Sequence, residues 1–277
     1  MSRTLAIGLS GQLGAALLPL LDARFGEVVA LSRQPQAARA HIDWQQGTLD
    51  TLAAAPPGTT RILSLGPLDA FAAWVLRVQP RPQRIVAISS TGRIDKRESP
   101  DPRERDEARR LSEAEASLFE YGRAHAIAVT LLRPTLLYGS GRDRSLSRMA
   151  AFARRWRLLP LPAAAKGRRQ PVHVDDVAAA VLACLAVAAS FGRGFDLPGG
   201  EVLAFDEMLR RTLAAQAPGA RLLRLPTPVF RAGFALKAAL GLGAGGAGWL
   251  WRLQRDQIAD PSAAVEAFAW APRRYLP

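Results

Sequence analysis

Three glycines spaced three apart, Gly8-x-x-Gly11-x-x-Gly14, follow the apolar run Leu5-Ala6-Ile7 and precede the helix-forming Ala15-Ala16-Leu17-Leu18. Strand, glycine turn and helix in that order present free backbone N–H groups to an anion. Gly8 allows the turn, Gly11 lets the backbone approach a pyrophosphate, and Gly14 lets helix and strand pack closely. The expected ligand is a dinucleotide held by Gly8, Ser10, Gly11, Gln12, Leu13 and Gly14. The alternative is a structural turn that binds nothing, because 23 glycines in 277 residues produce such spacings by chance.

A second position bears on the same ligand. The apolar run Glu27-Val-Val-Ala-Leu-Ser32 reads as the second strand, and it ends in Ser32-Arg33. At that place in a dinucleotide fold an acidic residue binds a free ribose 2′-hydroxyl, whereas a basic one accommodates a 2′-phosphate. Ser32 and Arg33 therefore favour NADP(H) over NAD(H). Against this stands the bland reading of Arg33 as one more solvated arginine. No nucleophile–His–acid arrangement and no metal-binding set is evident. His41 has no partner in view, and His173 reads as part of a helix entry.

The elements needed to hold these residues follow from alternation. Arg61–Leu65, Arg84–Ser89, Ala128–Arg133 and Phe195–Leu197 read as further strands. Amphipathic helices are expected over 68–78 and 104–125, with a charged, turn-rich loop over 93–103. The first helix should run to about Arg24 unless Pro19 kinks or shortens it. Asp175 is the expected N-cap of an apolar helix from Asp176 to about Ser190. Repeated strand–helix units imply an α/β fold with a Rossmann-type doubly wound parallel sheet. Residues 1–138 plus 170–197 would form the dinucleotide domain. Residues 139–169 plus 198–277 would form a small C-terminal α+β substrate lobe. No internal repeat is evident.

Composition narrows the partners. The net charge is +13, and only three of the 37 basic residues are lysine, which reflects compositional bias as much as function. Aromatics are not interleaved with the basic residues as nucleic-acid binding requires, so no nucleic-acid partner is expected. The positive field suits an anionic small molecule. The basic run Arg142, Arg144, Arg148, Arg154, Arg155, Arg157, Arg168 and Arg169 is the place to hold its phosphates. No membrane span is expected: Val229–Trp251 comes closest, but Arg231, Lys237 and six glycines interrupt it. Contact with a membrane surface stays open as a minor alternative. One cysteine, Cys184, and no leader pattern point to a reducing, cytoplasmic setting.

Taken together the motifs resemble the extended short-chain dehydrogenase/reductase superfamily, in particular its NAD(P)-dependent epimerase/dehydratase group. Gly11-Gln-Leu-Gly14 is similar to the cofactor turn of sugar-nucleotide 4-keto reductases. Ile88-Ser-Ser-Thr91, Leu132-Arg-Pro-Thr-Leu-Leu-Tyr-Gly139, Val172-His-Val-Asp-Asp-Val-Ala178 and Ala269-Trp-Ala-Pro-Arg273 resemble later markers in the family's order. The resemblance implies cofactor contacts from Ser89, Arg133 and Pro134, and a substrate-oxygen contact from Thr91. It also implies a Tyr and, four residues later, a Lys, exchanging the substrate proton. Here that pair is missing. Alignment on Leu111-Ser-Glu-Ala-Glu115 puts Glu107 at the Tyr position and Leu111 at the Lys position. Tyr121 sits too near the helix end to replace it. The family's Gly-Asp-Leu after the third strand is here Gly47-Thr-Leu49.

Two functions are therefore expected. One is an atypical NADP(H)-dependent oxidoreductase or epimerase-like enzyme on an anionic, nucleotide-linked sugar, with Thr91 and Glu107 as the candidate catalytic residues. Loss of a general acid costs ~10²–10⁴-fold, so its turnover would be slow. The other is a non-catalytic dinucleotide-binding redox sensor or assembly protein. A monomer or a homodimer is compatible with either, the helix over 104–125 being heavily charged.

Overall fold

The computed structural model describes residues 2–22, 25–141, 143, 145–239 and 246–277, except the side chains of 237 and 238. The expected positions Arg24, Arg142 and Arg144, and part of the Val229–Trp251 window, lie outside the described residues. No described helix is long and apolar enough to cross a membrane.

Six strands of the central sheet come from the first half of the chain: β1 (Arg3–Ile7), β2 (Glu27–Ser32), β3 (Ile42–Gln46), β4 (Thr59–Ser64), β5 (Arg84–Ile88) and β6 (Ala128–Pro134). Four short strands follow: β7 (Leu137–Tyr138), β8 (Leu158–Pro162), β9 (Arg168–Arg169) and β10 (Val172–His173). β11 (Arg193–Leu197) completes the sheet, and β12 (Leu203–Ala204) and β13 (Arg221–Leu225) lie beyond it. The sheet has seven strands in the order β3-β2-β1-β4-β5-β6-β11, every neighbouring pair parallel. Every residue of β5 is buried, as a strand covered on both faces requires. The order reverses between β1 and β4, which opens a crevice at the carboxyl ends of those two strands.

Helices α1 (Gln12–Leu17), α2 (Leu68–Val78), α3 (Gly92–Asp95) and α4 (Pro102–Ala124) lie in the sheet-forming half. α5 (Leu146–Trp156), α6 (Val174–Ala186), α7 (Phe205–Gln216), α8 (Thr227–Ala239), α9 (Ala247–Gln254) and α10 (Ser262–Phe268) follow. Leu13 and Leu17 of α1, Val177, Val181 and Cys184 of α6, and Trp270 cover one face of the sheet. Phe71, Trp74 and Val75 of α2 with Leu118 and Tyr121 of α4 cover the other. Away from the sheet, Tyr138, Leu161, Phe205, Met208, Leu253 and Tyr275 make a third core.

Several boundaries differ from the sequence reading, each for a local reason. α1 stops at Leu17 and tightens into a 3₁₀ turn over Leu18–Leu20, because Pro19 cannot donate to the helix ladder. α3 forms inside the segment read as a loop. α4 starts at Pro102, two residues early, with Asp101 as its cap accepting from the Arg103 N–H at 2.9 Å. His173, not Asp175, caps α6: its Nδ1 accepts from the Asp175 N–H at 3.2 Å. Asp175 and Asp176 instead turn to Arg273, whose Nε donates to Asp176 at 2.8 Å. The C-terminal stretch does not stay with the expected lobe either. Ala264, Ala267 and Trp270 join the core of the sheet, and the Trp270 indole donates to the Pro198 carbonyl at 3.0 Å.

Candidate functional site

The glycine turn sits at the crevice. Gly8 has φ +86°, and a Cβ there would press on the Leu65–Gly66 backbone at 3.0 Å, so only glycine suits the turn. At Gly14 a Cβ would fall 2.3 Å from the Leu9 backbone, so helix and strand touch through the missing side chain. The Gly11 N–H donates to the Gly8 carbonyl at 3.0 Å, closing the turn. Gly11 itself faces open space: the one close neighbour of an added Cβ is the Gly8 carbonyl, at 3.2 Å. This backbone cradle, which side chains would fill, fits a dinucleotide pyrophosphate.

Ser10, Gly11 and Gln12 form one wall of a cleft of about 690 Å³. Its floor is the end of β5, with Ser89 and Thr91, and the end of β6, with Pro134. Asp95, Lys96, Arg169, Arg252 and Gln257 line the remainder. The Gln12 amide donates to the Gly139 carbonyl at 3.2 Å and ties the glycine turn to the segment after β7.

Under the floor lies a buried ionic knot. Glu115 of α4 accepts from the Ser89 hydroxyl at 2.6 Å and from Arg133 Nη2 at 2.6 Å. Arg133 also reaches Asp196 of β11 at 3.4 Å. Ser89 thus reaches the cleft while Arg133, expected to contact cofactor, is committed to joining β6, β11 and α4. Ser32 and Arg33 stand at the end of β2, outside the cleft's lining. The Ser32 hydroxyl donates to the Gln34 carbonyl at 2.7 Å. Arg33 is exposed and has no ion-pair partner among the described residues. Leu13 and Gly14 are buried under the turn.

Of the two candidate catalytic residues, the structure brings Thr91 to the cleft and leaves Glu107 outside it. The Glu107 carboxylate is 45% exposed and pairs with Lys96 Nζ at 2.6 Å. No described side chain of α4, the helix that carries Tyr and Lys in the resembled family, lines the cleft. The Tyr121 hydroxyl is taken up by the Pro80 carbonyl at 2.7 Å, on the far face of the sheet. His173 packs edge-on against Tyr138, and burial lowers its pKa. His41 is exposed at a left-handed φ of 64°. Burial lifts the Cys184 thiol to about 11, so it is no nucleophile.

Of the charged groups Arg169, Arg252 and Asp95 that also line the cleft, the sequence reading singled out only Arg169. Arg169, one of the expected anion-holding arginines, is only 3% exposed. It donates to the backbone carbonyls of Arg168, Arg252 and Arg255 and stacks over Phe205. Burial lowers its pKa to about 10, which still leaves it charged at neutral pH. Arg252 pairs with Glu104 at 2.8 Å, while its Nε is buried without a hydrogen-bond partner among the described residues. Asp95, at the end of α3, donates its N–H to the Thr91 carbonyl at 3.1 Å. Burial raises its pKa, and Arg169 and Arg252 oppose part of that rise. The i, i+4 spacing of Thr91 and Asp95 was a readable signal, but only if 92–95 is recognised as helical. In so arginine-rich a chain nothing distinguished Arg252. No described group of His, Cys, Asp and Glu could hold a metal ion.

Comparison with known proteins agrees with this geometry. Residues 79–195, which carry β5, α3, α4, β6 and α6, match the NAD dependent epimerase/dehydratase family. Among solved structures, MoeE5 in complex with UDP-glucuronic acid and NAD superposes with a TM-score of 0.72 at 16% identity, over 99% of this chain and 94% of that one. UDP-glucuronic acid 4-epimerase from Bacillus cereus in complex with NAD superposes with a TM-score of 0.71 at 13% identity, over 99% and 94%. By sequence, a stretch of 104 residues is 32% identical to a mitochondrial protein of Arabidopsis thaliana, NADH dehydrogenase [ubiquinone] 1 alpha subcomplex subunit 9. That stretch is 37% of this chain and 26% of that protein. Residues 79–195 thus match the NAD dependent epimerase/dehydratase family, and the chain as a whole shares the fold of these solved structures.

Proposed function

We propose that the protein is a nicotinamide-dinucleotide oxidoreductase or epimerase whose substrate is an anionic, nucleotide-linked sugar. The observation that carries this reading is the cleft itself, lined by a backbone cradle, by the buried Arg169 and by the half-buried Arg252. The turn from Gly8 to Gly14 would hold the pyrophosphate, with Ser89 and Pro134 beneath the nicotinamide end. Bound there, the nicotinamide supplies two-electron oxidation and reduction of a carbinol carbon. Arg169 and Arg252 would pair with the substrate's phosphates or carboxylate, and Thr91 would hold the reacting oxygen. Residues 139–169 and 198–261 would serve as the substrate lobe. The similarity to structures holding UDP-glucuronic acid and NAD supports this substrate class. The exposed Arg33 supports a preference for NADP(H) over NAD(H) through a 2′-phosphate contact.

The first test is a fluorescence titration with NADPH and with NADH. NADPH is expected to bind at micromolar concentration and NADH at least tenfold more weakly. Equal affinities would remove Arg33 from the reading, and no binding of either would overturn it. Turnover of UDP-glucuronic acid and UDP-glucose with NADP⁺ or NAD⁺ then tests the enzyme directly.

A second reading has its own observation. No described α4 side chain reaches the cleft, and the Arabidopsis relative is named as a subunit of a larger enzyme. A protein that binds a dinucleotide and docks in an assembly without turning over substrate satisfies both. Tight NADPH binding with no turnover of any nucleotide sugar would favour it.

A further inference from the structure

The cleft has Thr91 at its floor but no tyrosine beside it, which leaves open what exchanges the substrate's proton. Glu107 is outside the lining, and the Lys96 ammonium is held by the Glu107 carboxylate. Asp95 is different. Asp95 lines both the main cleft and an adjoining side pocket of 220 Å³, which Arg252 and Gln257 share. α3 makes one turn from the end of β5, so Asp95 comes back over Thr91. Its N–H donates to the Thr91 carbonyl at 3.1 Å, and the Thr91 hydroxyl favours the ionised form of its carboxyl.

We propose that Asp95, one helical turn beyond Thr91 in the same cleft lining, exchanges the proton of a substrate oxygen in this cleft, in place of a tyrosine on α4. The inference rests on the oxidoreductase reading above. In the oxidising direction the substrate O–H bond breaks and its proton adds to a carboxylate oxygen of Asp95. The freed electron pair closes the carbonyl, while the carbon's hydrogen and its bonding pair leave to the nicotinamide dinucleotide. In the reducing direction Asp95 returns the proton.

The surroundings suit the task. Burial lifts the Asp95 pKa above the ordinary aspartate value, which brings a carboxyl nearer to working pH. The charged groups that act on it most are Arg169 of β9, Arg252 of α9 and Asp196 of β11. The two arginines favour the ionised form and Asp196 the protonated one. Lys96 and Asp143 line the same cleft, and Arg97, Glu98, Arg255 and Asp256 line the adjoining pocket.

The test compares wild type with Asp95→Asn and Asp95→Glu, using UDP-glucuronic acid and UDP-glucose as probes. Asp95→Asn is expected to lower kcat by ~10²–10⁴-fold, with the NADPH Kd within about threefold of wild type. Asp95→Glu should recover at least about tenfold of that loss. In the oxidising direction the acid limb of the wild-type pH profile should vanish in Asp95→Asn, since no carboxylate is left to protonate. Independently of turnover, carboxyl ¹³C NMR of aspartate-labelled protein should show one resonance titrating above the ordinary range and absent from Asp95→Asn. An Asp95→Asn enzyme within threefold of an active wild type, or an Asp95 resonance titrating at or below the ordinary range, overturns the proposal alone. A folded, NADPH-binding wild type inert toward nucleotide sugars overturns the oxidoreductase reading and this inference with it.

Discussion

On the glycine wall of the cleft the chain meets itself at backbone distance, with Gly14 against Leu9 and Gly8 against the Leu65–Gly66 peptide. On the opposite wall the contacts are made by side chains that lie far apart in sequence. Thr91 and Asp95 follow β5, Arg169 sits on β9 and Arg252 on α9. The first wall is specified by what is absent, so almost any added atom damages it. The second is specified by which charges converge, so it tolerates change in shape but not in chemistry. A single cleft thus combines a rigid backbone wall with one built from converging side chains.

Substitutions can break or sharpen this contrast. The largest effect should come from Gly14→Val, whose branched side chain has no room beside Leu9. We expect a loss of about 3 kcal/mol in urea unfolding, together with loss of NADPH binding. Were Gly14→Val as stable as wild type, the close approach of α1 to β1 would be disproved.

Arg169→Leu should divide its effect between the two walls. Three backbone carbonyls lose their donor, at a cost of about 2 kcal/mol. UDP-glucuronic acid should bind about tenfold more weakly, whereas the NADPH Kd stays within about threefold. Calorimetric titration of both ligands separates the two effects, and an equal loss for both would merge the walls into one.

Arg33→Ala acts at the far end of the cofactor wall, where the side chain is exposed and touches no core. It should leave stability unchanged and weaken NADPH about tenfold, or ~1.4 kcal/mol, with NADH unaffected. A parallel loss for both dinucleotides would assign Arg33 to the general field of the protein.

The smallest effect concerns pH. Nδ1 of His173 must be unprotonated to accept from the Asp175 N–H, and burial lowers the His173 pKa in the folded state. The unfolded chain therefore binds the proton more readily. The contribution of this group is fully present above the unfolded histidine value, about 6.5, and is lost as pH falls through the lower folded value. Melting curves of His173→Asn, which retains a capping side chain, should show a shallower loss of stability below about pH 6.5 than wild type. Identical slopes would show that the cap does not titrate in this range.

Local rules made much of the molecule readable. After the buried Arg84, β5 is an apolar run over Ile85–Ile88 because both its faces are covered, and Gly8-x-x-Gly11-x-x-Gly14 announces its turn because the constraint spans seven residues of backbone. Asp101-Pro102 is also a helix start by local chemistry, although the surrounding charges made the segment read as loop. The site was legible only in part. Ser10, Gly11, Gln12, Ser89, Thr91 and Pro134 line the cleft, whereas Arg133 turns to Glu115 and Glu107 to Lys96.

The sequence by itself determined the strand–helix alternation, the parallel sheet and the glycine cradle, because each follows from periodicity or from backbone freedom within a few residues. Tertiary structure decided which charges face the cleft. Thirty-four of the 37 basic residues are arginine, so residue type alone cannot separate the buried Arg169 from a solvated arginine. Only the tertiary fold brings Arg169 of β9 and Arg252 of α9 into one cleft with Asp95. Their places are fixed by long-range contacts, Arg169 to the carbonyls of Arg252 and Arg255 and Arg252 to Glu104, and no local spacing of charges records them.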